Sequence, residues 1–334
     1  MKNLYSFKSK LFSLIAMGLL VTNFASAQQE AMYSQYMFNT MAINPAYAGS
    51  RDVLSLTAVG RHQWVGVNGA PTSYSFTADM PISNEKMGIG LALNSDNVGL
   101  LNVVGASFNY AYKIRVGQKT TLSLGVAPKI NFVSWDLSKV NNINEIDPVF
   151  TQANSLSKTS PNVGAGLFIN NDKSYLGFSI PQIIETDLNS FSVGTNAVES
   201  KVRRHFYTMM GFVLGNGNVK VKPSMMLRYT SGAPLGIDGN VNVWFMDKVA
   251  LGISGRKSQA AASGVDFMDA AIGMIELQLT PQLRFGYAYD INLNRLNDTN
   301  KTGTNRFVGT PTHEGLLRYE FGYGKNKIIT PRYF

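Results

Sequence analysis

Three histidines, His62, His205 and His313, are the side chains whose chemistry can be tested most directly against spacing. A helical zinc site sets two of them four apart on one face, with an acid between. These three fall in separate segments that alternate like strands, and His313-Glu314 is followed by no second histidine at ligand spacing. Each reads as a lumen or interface residue. Gly88-Ile89-Gly90 and Gly164-Ala165-Gly166 lack the strand-to-helix context of a phosphate-binding loop. No G-x-S-x-G elbow is present. With no cysteine in the chain, thiolate ligation of metal, disulfides and a lipid-modified N-terminal cysteine are excluded. No catalytic, cofactor-binding or metal residue is assigned, and a non-enzymatic protein without cofactor is expected. An enzyme assembled from serine, histidine and acids of neighbouring strands ranks third.

The charges are more informative, because an alternating chain must point them somewhere. From Leu283 to Leu293, Leu283, Phe285, Tyr287, Tyr289, Ile291 and Leu293 share one face, while Arg284, Gly286, Ala288, Asp290 and Asn292 share the other. The segment has the roughly 9 to 11 residues that a lipid-facing strand needs to cross the hydrocarbon. Arginine or lysine facing lipid costs about 2–4 kcal/mol at the midplane, so the polar set must face a lumen. That assigns Lys113, Arg115, Lys129, Lys220, Lys222, Arg228, Arg256, Arg284 and Arg318 as inward bases, and Asp238, Glu276, Asp290, Glu314 and Glu320 as inward acids. Both signs together, among many inward glycines, favour an ion-paired, filled lumen over an open conduit.

The elements that position these residues are about fourteen strands, at 53–63, 73–82, 86–94, 103–116, 120–135, 161–170, 174–184, 204–215, 218–230, 235–245, 248–257, 269–280, 283–293 and 312–323. Short turns at 83–85, 117–119, 171–173, 215–217, 246–247 and 281–282 alternate with connections that are mostly longer, notably 137–159, 185–203, 258–268 and 294–311. The expected fold is all-β: a transmembrane antiparallel β-barrel over 50–323, with short turns in the periplasm and long loops outside.

The ends complete the organisation. Lys2, Lys8 and Lys10, the apolar stretch Leu11 to Val21 and Ala25-Ser26-Ala27 predict a signal peptide over 1–27 that is cleaved after Ala27. The net charge of +9 then falls to +6, because three lysines leave with it. A modest excess spread along the chain does not suit nucleic acid. Beyond Gln28 no unbroken apolar run marks a membrane helix, so a membrane protein of this sequence must be a closed barrel. Mean hydropathy near zero agrees, an oily exterior averaging against a wet interior. In the segment 28–49, Met32, Tyr33, Tyr36, Met37, Phe38 and Met41 have roughly helical spacing up to Asn44-Pro45. A short helix plugging the periplasmic mouth is expected there, with a helix offered to a periplasmic partner as the competing reading. Residues 324–334 form a C-terminal tail.

The most distinctive text is Tyr33-Ser34-Gln35-Tyr36-Met37-Phe38-Asn39, Ile43-Asn44-Pro45-Ala46-Tyr47-Ala48-Gly49, Arg61-His62-Gln63-Trp64 and Gly69-Ala70-Pro71-Thr72. It resembles the PorP/SprF family of outer-membrane proteins associated with type IX secretion in the Bacteroidetes. Pro223-Ser224, Gly286-Tyr287-Ala288-Tyr289-Asp290 and Thr312-His313-Glu314 look like that family too. The resemblance implies an outer-membrane barrel that supports secretion and cell-surface attachment of a partner protein, such as a gliding adhesin, by binding its C-terminal sorting domain. It implies as partners other type IX or gliding components, including periplasmic ones, besides outer-membrane lipid. The alternative is a channel for small hydrophobic molecules, similar to the fourteen-stranded fatty-acid transporters, which also carry an N-terminal plug.

Overall fold

Dyad alternation leaves each strand with one apolar face, and such a sheet avoids open edges only by closing on itself. The computed structural model describes residues 32–83, 85–136, 155–187, 201–257, 268–293 and 311–321, and in it the sheet closes. The signal peptide expected over 1–27, the tail 324–334 and most of the four longest connections lie outside the described residues. The strands are β1 (Ser55–His62), β2 (Thr72–Ile82), β3 (Met87–Val98), β4 (Leu101–Arg115), β5 (Thr121–Asp136), β6 (Ser155–Asn170), β7 (Ser174–Ile180), β8 (Thr186–Asp187), β9 (Lys201–Val202), β10 (His205–Phe212), β11 (Val219–Thr230), β12 (Gly236–Phe245), β13 (Val249–Lys257), β14 (Ala270–Gln278), β15 (Leu283–Asn292) and β16 (Thr312–Glu320).

All but β8 and β9 form one antiparallel barrel of fourteen strands, sealed where Ser55 of β1 faces Glu320 of β16 and His62 faces His313. β8 and β9 pair with each other in a two-residue ladder within the 185–203 connection, where no strand was expected. The expected strand count and order hold, with shifts at the ends. β6 begins at Ser155 rather than 161, and β3 runs to Val98 rather than 94. The β3–β4 connection is therefore only Gly99-Leu100, a tight turn at the long-loop end.

Alternation decides inside from outside. On β5, Leu124, Val126, Ile130 and Phe132 are exposed, while Ser123, Gly125, Ala127 and Asn131 are buried. The same exposed apolar band continues through Phe108, Phe178, Val241, Leu251, Phe285 and Leu317 on other strands. A continuous apolar exterior of that extent is a lipid-facing surface. At the opposite end from the long loops, Met246 and Asp247 both take positive φ, at 51° and 55°, the left-handed pair that closes a two-residue hairpin.

Among the described residues of the segment, 32–49, the expected helix is absent. Residues 36–47 instead form three separate 3-10 turns, Tyr36–Phe38, Thr40–Ala42 and Pro45–Tyr47. Nor does the segment sit at a mouth: it runs within the barrel, against inward faces of strands on several sides. A residue surrounded on all sides needs no single apolar stripe, so nothing enforces the helical period.

Candidate functional site

Residues 32–52 descend the lumen from its long-loop half to the short-turn end, held by matched contacts along the way. Tyr33 and Phe38 pack on Val59 of β1 and Leu316 of β16, while Tyr36 packs on Tyr207 and Met226. Lower down, Met41, Ala46, Tyr47 and Ala48 join Phe168, Tyr175 and Met209, with Tyr47 edge-on to Phe168 at 5.3 Å between centroids. The strand glycines make room. A Cβ on Gly125 would collide with the backbone of Pro45 and Ala46, and one on Gly88 with that of Ala48 and Gly49. Gly90 similarly abuts Met41, Gly166 abuts Asn44 and Gly164 abuts Pro181.

Charge fixes the top of the segment. The Glu314 carboxylate accepts the backbone N–H of Ser34 at 2.7 Å and of Gln35 at 2.8 Å, and Arg61 donates to it at 3.0 Å. Arg61 also reaches Asp290 at 2.8 Å. Arg256 bonds Asp238 at 2.6 Å and stands 3.6 Å from Asp290, and Arg228 stands 3.3 Å from Asp238. The Ser34 hydroxyl donates to Asp290 at 2.8 Å and accepts from Arg61 at 2.7 Å and Arg256 at 3.2 Å. Three guanidiniums and three carboxylates, all buried, thus cancel around one serine, linking β1, β11, β12, β13, β15 and β16 to the N-terminal segment. Mutual pairing offsets much of the cost of burying these ions, while Arg61 Nε, Arg228 Nε and Asp238 Oδ2 make no hydrogen bond among the described residues.

A second set holds the bottom. Asn44 accepts from the Ala46 N–H at 3.0 Å and donates to the Leu167 carbonyl at 3.0 Å. Asp79 accepts the Gly49 N–H at 2.8 Å, Lys113 donates to the Gly49 carbonyl, and Arg51 pairs with Glu320. On the far wall Arg284 pairs with Glu276 at 2.9 Å, and Lys222 lies 4.3 Å from the ring centroid of Trp244.

Above the segment a cavity of about 600 Å³ occupies the long-loop half. Met32, Tyr33, Ala42 and Ile43 form its floor, and its walls mix apolar residues with Arg61, Lys129, Asn131, Gln182, His205 and Arg228.

The inward assignments made from alternation stand for Lys220, Lys222, Arg228, Arg256, Arg318, Asp238, Glu276, Asp290, Glu314 and Glu320, all buried among strands whose alternate residues are exposed. Lys113, Lys129 and Arg284 are half-buried on the same inward face. Arg115 shares the parity of Lys113 but lies at the short-turn end of β4 and is exposed, beyond the filled part of the lumen. Arg51, Arg61 and Asp79 were missed as lumen charges, although Arg61 shares the parity of Ser55 and Thr57. Among the histidines, His205 faces inward, whereas His62 and His313 sit side by side on the outer face, bonded to Tyr74 at 3.1 Å and Tyr287 at 2.6 Å. Among the described residues no cluster of three or more metal-binding side chains occurs.

Comparison with known proteins adds the following. The profile of the family described as type IX secretion system membrane protein PorP/SprF matches residues 25–309. Solved structures of similar fold include a CymD monoaromatic hydrocarbon channel, with TM-score 0.51 and 11% identity over 89% of this chain and 94% of that one. A Pseudomonas aeruginosa FadL homologue has TM-score 0.45 and 13% identity, covering 86% of this chain and 94% of that one. The Acinetobacter baumannii outer membrane protein Omp33 has TM-score 0.40 and 7% identity over 80% and 98%. No curated protein matches the sequence.

Proposed function

The chain belongs to the PorP/SprF family of type IX secretion membrane proteins, and from that premise we propose that it is a binding and anchoring barrel rather than a conduit. In this reading it sits in the outer membrane with short turns in the periplasm, after removal of a leader near Ala27. Its long-loop end holds the C-terminal sorting domain of a secreted surface protein such as a gliding adhesin, while its short-turn end meets other secretion components. It performs no catalysis.

The observation that carries this reading is the occupied lumen. A barrel whose interior is filled by its own residues 33–52, cross-linked by two sets of buried ion pairs, is suited to presenting a fixed surface and poorly suited to passing solute. The alternative, a channel for small hydrophobic molecules, needs a continuous apolar path. The buried charges of Arg51, Arg61, Arg256, Asp290 and Glu320 oppose one.

Cross-linking in the native outer membrane followed by purification of the barrel tests the proposal. A large surface protein or another secretion component is expected to come with it, and its surface display is expected to fail when the barrel is deleted. Isolation of a lone barrel, with display intact in the deletion strain, would overturn the reading.

A further inference from the structure

The outer cavity has an uneven hydrogen-bond ledger. Lys129, on the inward face of β5, makes no hydrogen bond or ion pair with any described residue, whereas the three arginines nearby are paired with carboxylates. His205 is buried at 5% exposure with its Nδ1 3.0 Å from the Arg203 carbonyl. That contact places the neutral ring's proton on Nδ1, which leaves Nε2 a lone-pair acceptor, and Nε2 has no partner. Asn131, also at 5% exposure, donates its amide N–H to Gln182 at 3.2 Å while its carbonyl oxygen has no partner. All three side chains line the same cavity, whose floor is apolar. Buried polar atoms in native proteins are rarely left without a partner, so two lone acceptors in a cavity that also holds the Lys129 ammonium and the unbonded Nε donors of Arg61 and Arg228 describe what is to be bound.

The complement is a ligand with one anionic group, N–H donors next to it and an apolar side chain. A peptide ending in a free carboxylate has all three. The cavity, at about 600 Å³, falls within the roughly 300–1,000 Å³ of small-ligand pockets and is large enough for a short chain end. We propose that the outer cavity is a binding site for the carboxyl-terminal end of a polypeptide, with Lys129 holding the carboxylate and His205 Nε2 and Asn131 Oδ1 accepting backbone N–H groups. Ile43 and Met226 receive the apolar side chain. This rests on the reading above, in which the chain holds the C-terminal domain of a client, and it states which part of that domain enters the lumen.

The test uses the full-length barrel in detergent micelles and three probes: an acetylated tetrapeptide Ala-Ala-Val-Val with a free carboxylate, its C-terminal amide, and valerate. Binding is followed by calorimetry, with Trp64 at the rim as a fluorescent reporter. The free acid is expected to bind roughly tenfold or more tightly than the amide, as a charge-assisted contact implies. In Lys129→Gln, with gel mobility of the folded barrel retained, that preference is expected to vanish, and in His205→Phe both peptides are expected to weaken. Equal binding of acid and amide, a preference that survives Lys129→Gln, or valerate binding as tightly as the peptide acid would overturn the proposal. Surface display separates it from the broader reading. If deleting the barrel abolishes display while Lys129→Gln leaves both display and peptide preference unchanged, the site is refuted and the anchoring function stands. Display that persists without the barrel refutes the function, and the peptide titrations still decide the site.

Discussion

Replacing Glu314 by alanine should release the N-terminal segment from its upper end while leaving the barrel closed. Glu314 is fully buried and its two oxygens accept the Ser34 and Gln35 backbone N–H groups, so truncation orphans two buried donors. Each costs about 1–3 kcal/mol when left unmade. Arg61 keeps its 2.8 Å bond to Asp290, so the loss of charge pairing is partial. Taken together the docking of residues 33–36 weakens by about 2–6 kcal/mol, or roughly one and a half to four powers of ten in its opening equilibrium. The ladders that bind β16 to β1 and β15 involve only backbone and remain. Hydrogen exchange on the barrel in micelles reads this directly. Amides of residues 33–36 are expected to exchange faster by that factor in Glu314→Ala and by less in Glu314→Gln, which retains an acceptor oxygen. Residues 44–49 stay protected, because Asn44 and Asp79 hold them separately. Unchanged protection at Ser34 and Gln35 in the alanine variant, with the barrel still folded by its gel mobility, would refute the idea that this carboxylate secures the segment.

Three further outcomes follow from the same geometry. Gly125→Val forces a side chain into the backbone of Pro45 and Ala46, an overpacking of at least about 1–3 kcal/mol that should dislodge the lower segment and raise ion conductance in planar bilayers; a conductance equal to wild type counts against the filled lumen. Val126→Arg places a cation on the lipid face of β5 and should cost about 2–4 kcal/mol of folding stability in liposomes, read by denaturant titration, whereas Val126→Leu should be near neutral. Asp238→Ala leaves Arg228 and Arg256 without their shared carboxylate and should destabilise by about 3–5 kcal/mol in the same titration, with Asp238→Ala/Arg228→Met recovering part of the loss.

The strands were legible where lipid writes on them. β15 was read as 283–293 and found as Leu283–Asn292, because each outward side chain there must be apolar. The reading stopped where the side chains turn polar. The first six residues of β6, Ser155 to Ser160, and the end of β3, Asn94-Ser95-Asp96-Asn97, pair in backbone ladders but carry almost only polar side chains, so no apolar face marks them. Backbone hydrogen bonds extend those strands, and backbone bonds leave no trace in hydropathy.

The lumen was legible as a set of charges but not as an arrangement. Parity alone placed Asp238, Asp290, Glu314, Arg228 and Arg256 inside, yet what joins them is the Ser34 hydroxyl and two backbone N–H groups, from a segment more than 200 residues away from most of them in sequence. Arg61 escaped because the inward face of β1 reads Ser55, Thr57, Val59 and Arg61, where Val59 looks like a lipid residue although it packs on Tyr33 and Phe38. That valine is informative in retrospect. An inward apolar residue in a charged lumen requires an apolar partner inside, and among the described residues the apolar, aromatic stretch outside the strands is the N-terminal one. The same logic reads the inward glycines. Gly88 and Gly125 are small because backbone of residues 45–49 passes against them, and Gly166 because the Asn44 and Pro45 side chains do; an empty lumen would have left larger side chains free to fill it. Wall and segment therefore specify each other, and a substitution in either should be felt first as a loosened segment and only afterwards as a weakened barrel.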